Sequence, residues 1–250
     1  MKNTLFIGKK IIGLNSVDST SNYLSNLLKT TNVMDGTIVW TQKQIKGKGQ
    51  RGNNWISEDF KNLTLSLFLK LNFISVDTVF LISILVSNSL HKLVSIYCEN
   101  TKIKWPNDIY VSNQKIGGIL IENSIHKSSL KNTIIGIGFN VNQINFPSEL
   151  QATSLKTETN KKFDIDLIAN ELFSLLEKNY FLLKNGEINQ LKKYYFDNLL
   201  GFQEEREFII VSENKKITGV ITDVKDNGFL EVLSQNKKLL FEIKEIAFVF

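Results

Sequence analysis

Along the first seventy-odd residues, apolar positions come in short runs separated by polar stretches. Thr4 to Ile7 reads as a strand, and Asp18-Ser19-Thr20 supplies a capping signal for a helix from Ser21 to Leu28. The run Thr37-Ile38-Val39-Trp40 reads as a strand leading into a polar loop, Thr41 to Asn54. Leu63, Leu65, Leu67, Leu69 and Leu71 then alternate with Thr64, Ser66, Phe68 and Lys70, the two-residue period of a strand. From Val76 to Tyr97, apolar residues surround most of the helical circumference, which predicts a helix buried beneath a sheet. Short strands follow at Lys102 to Trp105, Ile109 to Val111, Ile116 to Glu122 and Thr133 to Phe139, then helices from Asp164 to Lys184 and from Ile188 to Leu200. After Gly201 the pattern is strands only, near Glu207 to Val211, Ile217 to Val224, Phe229 to Leu233 and Leu239 to Ile243, with Asp226-Asn227-Gly228 as a turn. The switch predicts an α+β domain over residues 1–200 and a small all-β barrel over 201–250.

Composition narrows the class. A chain of 250 residues with 42% hydrophobic residues can bury a substantial core. No membrane partner is expected, since a spanning helix needs about 20 apolar residues and the richest stretch, Val79 to Val94, is broken by Ser83, Ser87, Asn88, His91 and Lys92. The start of the chain lacks the continuous apolar segment of a signal peptide. Cys98 is the only cysteine, which excludes an internal disulfide and fits a reducing, cytoplasmic setting. The net charge of +5 comes from lysines scattered among asparagine and isoleucine, with only short pairs such as Lys161-Lys162 and Lys237-Lys238, so DNA is not an expected partner. Against that background arginine stands out: Arg51 and Arg206 are the only two, and a planar bidentate donor points to a carboxylate or phosphate.

Two charged clusters carry the candidate chemistry. In the first, Lys104-Trp105-Pro106-Asn107-Asp108-Ile109 is followed by Lys115-Ile116-Gly117-Gly118-Ile119-Leu120-Ile121-Glu122. The pattern sets Asp108 and Lys115 on the two arms of a hairpin, flanked by apolar strand residues. Asp108 alone reads equally as a turn residue after Pro106-Asn107. Gly117 and Gly118 argue for more, because glycines inside a strand let a ligand approach the backbone; Gly136, Gly138 and Asn140 repeat the feature on the strand expected beside it. The second cluster, Gly47-Lys48-Gly49-Gln50-Arg51-Gly52, spells G-x-G-x-x-G, yet Asn53-Asn54-Trp55 follows rather than a helix, and position 72 is Asn, so it is not a dinucleotide fingerprint. It is not a P-loop either, since Gly49 follows Lys48. What remains is a solvated loop or a flexible anion cradle of backbone amides, Lys48 and Arg51. Trp55 and Trp105 read as core aromatics or stacking platforms, and His91 and His126 lack partners at metal-ligand spacing.

These elements together resemble the biotin–protein ligases. The matching residues are Asp18-Ser19-Thr20, Gln44, the glycine loop with Trp55, Lys104 to Asp108, Lys115 to Ile119, Gly136-Ile137-Gly138-Phe139-Asn140-Val141-Asn142 and Ala152-Thr153-Ser154-Leu155. The resemblance implies an α+β fold: a mixed-sheet catalytic core of the biotin/lipoate ligase type, with a C-terminal SH3-like small β-barrel. It implies ATP-dependent attachment of biotin to a lysine of a biotin carboxyl carrier protein or domain, of acetyl-CoA carboxylase or a related carboxylase, through biotinyl-5'-AMP. ATP and biotin are then substrates and Mg²⁺ accompanies ATP, with no metal site from the protein alone beyond Asn140. Lys115 is implied as catalytic. Ser19, Thr20, Gln44, Asp108, Lys115, Gly117 and Gly118 are implied around biotin. Gly47, Lys48, Gly49, Gln50, Arg51, Gly52, Trp55, Asn107 and Asn140 are implied around ATP or the adenylate. The family's loop is richer in arginine: Lys48 replaces a common arginine, basic residues are frequent where Gln50 and Asn53 stand, and Ser21 replaces a frequent asparagine. With the Asp-Ser-Thr element at residue 18, no N-terminal helix-turn-helix domain and no repressor role are expected; a homodimer is compatible with the family.

Overall fold

The structure, a computed structural model, describes residues 4–126 and 129–249; the side chains of Arg51, His126 and Ser129 lie outside the description. The first sheet contains β1 (Ile11–Leu14), β2 (Ile38–Thr41), β3 (Leu63–Leu69), β4 (Thr101–Lys104), β5 (Asp108–Val111), β6 (Gln114–His126) and β7 (Ser129–Phe139), in the order β1-β2-β3-β7-β6-β5-β4. β1 runs parallel to β2 and the other neighbours are antiparallel, so the sheet is mixed. The later strands β8 (Glu205–Ile210), β9 (Lys215–Val224), β10 (Leu230–Ser234), β11 (Lys237–Phe241) and β12 (Ile246–Phe248) form a separate antiparallel sheet, β11-β10-β9-β8-β12. The α+β class and the β-only C-terminal unit expected from the sequence are both present.

Helices cover the two faces of the first sheet unequally. α1 (Thr20–Thr30) closes a small cluster of Leu24, Val39, Phe68 and Ile134 on one face. On the other lie α2 (Phe80–Ser95), and behind it α4 (Ile165–Lys184) and α5 (Ile188–Asp197), with a short α3 (Leu155–Thr159) before them. This explains why β3 is buried at all seven positions although Thr64 and Ser66 alternate with leucines: both faces are covered. The stretch Val76–Ser95 is long and apolar enough to cross a membrane, despite its interrupting polar residues, but its apolar circumference is spent in the core, where 13 of the 16 residues of α2 are buried. Several of the polar residues among them are hydrogen-bonded, while Ser87 Oγ and Asn88 Oδ1 have no partner among the described residues. Asn88 donates to Leu191 O, Ser89 to Leu85 O, and His91 bridges Thr101 O (3.0 Å) and Tyr194 Oη (2.8 Å). A carbonyl only accepts, so Nε2 carries the proton and Nδ1 accepts from Tyr194.

Three expectations are corrected. Thr4 to Ile7 is not a strand, because its amides have a different acceptor: the carboxylate of Glu177 in α4 takes Leu5 N (2.6 Å), Phe6 N (2.8 Å) and Ile7 N (3.0 Å). The first strand is Ile11–Leu14 instead, a run with a glycine that hid its pattern. The C-terminal sheet has a fifth strand, β12, too short to give a two-residue period. Finally, Ser19 sits at the N-cap of α1 without a side-chain cap bond; Thr20 N goes to Gln44 Oε1 at 3.0 Å, and the Asp18 carboxylate takes Asn22 Nδ2, which lowers its pKa.

Glu177→Ala leaves three partly buried amides without their charged acceptor and is expected to lower stability by on the order of 3 kcal/mol, read as a lower denaturant midpoint at unchanged slope. His91 gives a pH dependence. Burial foremost pushes its pKa from 6.5 down to about 4, so the folded state holds it neutral while the unfolded chain protonates first. Its contribution is complete above about pH 6.5 and is lost as pH falls towards 4; His91→Gln should flatten that part of the stability profile.

Candidate active site

The site begins as a gap in the sheet surface. Strand pairing aligns Asp108 of β5, Gly118 of β6, Gly138 of β7 and Thr64 of β3 in one row, and Leu120, Gly136 and Ser66 in a second. A Cβ at Gly138 would lie 2.3 Å from Trp55 Cε2, one at Gly118 3.0 Å from Trp55 Cζ3, and one at Gly136 3.0 Å from Ser21 Oγ. The indole of Trp55 therefore lies directly on the backbone of β6 and β7. Beside it, hydroxyls meet: Thr20 Oγ1 and Ser21 Oγ approach Ser66 Oγ at 2.8 and 3.0 Å, while Gln44 Oε1 holds the start of α1. The resulting cavity, about 650 Å³, is within the size of small-molecule sites.

Charge is concentrated at one end. Asp108 and Lys115 face each other across the β5–β6 hairpin, with Nζ 2.7 Å from Oδ1 and side chains 30% (Lys115) and 17% (Asp108) exposed. The contact lacks hydrogen-bonding angles, so Asp108 Oδ1 and Trp55 Nε1 are buried polar atoms without a hydrogen-bond partner in the described structure, both beside the cavity. Lys115 Nζ also lies 5.5 Å from the Trp55 ring centroid. Lys104 lines the same wall, its ammonium near the rings of Tyr110 (5.0 Å) and Phe248 (5.4 Å), and burial lowers its pKa. Two lysines around one carboxylate leave the cavity short of negative charge, the condition for receiving an anion.

The backbone that carries these groups is fixed from several sides. Asn107 Nδ2 donates to Ile119 O and Ile119 N to Asn107 O. Lys115 exchanges backbone bonds with the 151–153 segment, N to Gln151 O (2.8 Å) and O from Thr153 N (2.9 Å); Asn140 Nδ2 holds Thr153 O at 3.0 Å. The glycine loop is folded as a hairpin of its own: Lys48 pairs with Asn54, Gly49 N donates to Asn53 O, and a 3₁₀ turn over Gln50–Gly52 forms the tip. The far wall comes from the C-terminal sheet, with Val211, Ile243, Ile246, Ala247 and Phe248.

Of the residues expected at the site, Ser19, Thr20, Gln44, Lys48, Gly49, Gln50, Trp55, Asn107, Asp108, Lys115 and Gly118 line the cavity. Gly117 does not. Successive strand residues face opposite sides, and a Cβ on Gly117 would meet Leu90 Cδ2 of α2 at 2.9 Å, so this glycine serves close packing under the sheet. Gly47 and Gly52 are also off the lining; a Cβ at Gly47 would meet Trp55 O at 2.3 Å, and Gly52 takes φ +86° at the loop tip. Asn140 is not among the lining residues either; its Nδ2 donates to Thr153 O, and its Oδ1 has no partner among the described residues. The Arg51 side chain lies outside the described residues. Thr64, Lys104 and the C-terminal wall also line the cavity though they were not among the residues expected around the substrates; β12 gave no pattern.

Comparison with known proteins bears on this geometry. Residues 13–140 match the model of the biotin/lipoate A/B protein ligase family. The bifunctional ligase/repressor BirA of Bacillus subtilis is 33% identical over 174 residues, 67% of this chain and 51% of that protein. The human biotin–protein ligase is 27% identical over 243 residues, 90% of this chain and 32% of that one. The chain thus spans about half the length of the Bacillus relative it matches. Among solved structures, the biotin protein ligase of Aquifex aeolicus, in complex with biotin and ATP, superposes with a TM-score of 0.78 at 27% identity, covering 96% of this chain and 98% of that one.

The two neighbouring faces separate experimentally. Gly138→Ala should lift Trp55 off the strands and change tryptophan emission. Gly117→Ala should leave emission in place and instead cost about 1–3 kcal/mol through Leu90. Equal emission changes in both variants would contradict the assignment of faces.

Proposed function

We propose that this chain, which belongs to the biotin/lipoate A/B protein ligase family, attaches biotin to a specific lysine of a biotin carboxyl carrier protein or domain, using ATP and passing through biotinyl-5'-AMP. The observation that carries the reading is the placement of Asp108 and Lys115 at 2.7 Å beside a side-chain-free strip in one cavity. The names of the relatives and the biotin and ATP held by the Aquifex neighbour support it.

In this reading the ureido N–H groups of biotin donate to Asp108, a charged acceptor stronger than a neutral one. Ser19, Thr20, Gln44 and the backbone at Gly118 surround the ring and tail, and the flat bicycle takes the place on the strands that the Trp55 indole covers in this structure. Occupation of Asp108 by these donors competes with its ion pair and releases Lys115 towards the reacting centre. A biotin carboxylate oxygen then attacks the α-phosphorus of ATP, and the bond to pyrophosphate breaks. Negative charge concentrates where two anions meet, and Lys115 stabilises it there. Lys48, Gly49, Gln50 and Arg51 of the loop, with Asn107 nearby, hold the nucleotide side, and Trp55 offers its indole to adenine. In the second step the acceptor amine attacks the acyl carbon of the mixed anhydride, AMP leaves, and the ammonium proton goes to solvent. Closure of the hairpin loop keeps water from the anhydride.

No group of three or more His, Cys, Asp or Glu is positioned to hold a metal among the described residues. In this reading Mg²⁺ arrives on the ATP phosphates, whose charge it screens. We place the reaction in the cytoplasm, a setting that a single cysteine, Cys98, fits.

Purified protein given biotin, Mg-ATP and a carrier domain should transfer biotin. Lys115→Ala is expected to slow adenylation by about 10²–10³-fold, while Asp108→Ala mainly raises the biotin KM. Transfer of lipoate but not biotin would sink the assignment, and biotin binding without transfer would make the protein a sensor.

A further inference from the structure

Asp108 follows a turn that is gripped from two sides. On one, Asn107 exchanges two hydrogen bonds with Ile119 of β6. On the other, the Trp105 indole, 3% exposed, donates Nε1–H to the carbonyl of Gly228 at 3.0 Å, 123 residues away. Gly228 lies in the turn between β9 and β10. That turn is itself tied to the larger domain, because Asp226 O accepts from Phe80 N at 3.1 Å at the start of α2 and its carboxylate pairs with Lys192 of α5. Gly228 has φ +97°, and a Cβ there would meet the Phe80 ring at 2.9 Å, so a glycine is needed to present this carbonyl at this place.

We propose that the Asp226–Gly228 turn is a positioning element for biotin recognition: through Trp105 it sets the backbone of Asp108 at the height where the carboxylate meets both Lys115 and the substrate. The inference rests on the reading of Asp108 as the acceptor of the biotin N–H groups. Burial of the Trp105 ring stabilises the fold whether or not its N–H is bonded; what the hydrogen bond adds is orientation. The residue lies three positions before Asp108 and at the end of β4, which pairs with β5 in the register Lys104↔Asp108. A tilt of the indole is therefore passed directly to the start of β5. The C-terminal sheet thus touches the chemistry from two directions, as a cavity wall through β12 and as a brace beneath the recognition carboxylate through the β9–β10 turn.

The test is a double-mutant cycle on biotin binding by calorimetry, using the full chain, with Trp105→Phe, Asp108→Asn and the pair combined. Phenylalanine keeps the buried ring and loses only the donor. Trp105→Phe should weaken biotin about tenfold, raise the biotin KM while leaving the ATP KM in place, and add nothing further in the Asp108→Asn background. Gly228→Ala, which displaces the carbonyl without touching Trp105, should show the same dependence on Asp108. Losses that simply add, or that fall equally on biotin and ATP, would mean Trp105 is a packing residue and overturn the proposal. An unaltered protein that fails to bind biotin at all would remove the functional reading, and this inference with it.

Discussion

A β-sheet carries side chains on both faces, so a flat ligand can rest on its backbone only where they are missing. Gly118 and Gly138 meet that constraint together because they are direct partners in the β6–β7 ladder. The strip they open accommodates Trp55 and is bordered by the hydroxyl cluster at the start of α1. It also fixes what the opposite face must do. Ile119 and Ile137, paired one residue further along, are buried in the core beneath α2. A one-residue slip of either strand would turn these isoleucines towards the cavity and empty the core at once. The apolar face thus enforces the register on which the polar face depends.

The charges rest on the same framework. Asp108 is the neighbour of Gly118 in the next strand, and Lys115 extends over Gly118 towards it, with its methylene Cε 3.1 Å from where a Cβ would stand. A side chain at position 118 would therefore block the ligand floor and the ion pair together. Half-buried pairing keeps both groups poised at little net stability, since desolvation offsets much of the Coulombic gain. Their arrangement is better understood as preparation for a ligand than as a fold-stabilising contact.

Much of this was legible in the sequence because it obeys local rules. The alternating leucines of β3, the hairpin that carries Asp108 and Lys115 on its two arms and the turn at Asp226-Asn227-Gly228 each leave a pattern within a few residues. The sequence was silent where a residue's surroundings are decided by distant partners. Gly117 and Gly118 look alike in a list of residues, and only strand parity plus the position of Leu90 tells packing glycine from floor glycine. Asn140 carries a polar amide suited to a phosphate, but its nearest carbonyl acceptor is Thr153 O. Lys104 and Phe248 are 144 positions apart and show their common wall only when the C-terminal sheet is in place.

The three amides held by Glu177 have a bearing on how the chain comes to fold. The contact joins residues some 170 positions apart, and a loop of that length must close before any of its hydrogen bonds forms. The Leu5–Ile7 segment, although synthesised well before α4, therefore cannot settle until that helix exists. During synthesis it must wait while all seven strands of the larger sheet are made, and the carboxylate that finally receives it marks completion of the domain rather than its start.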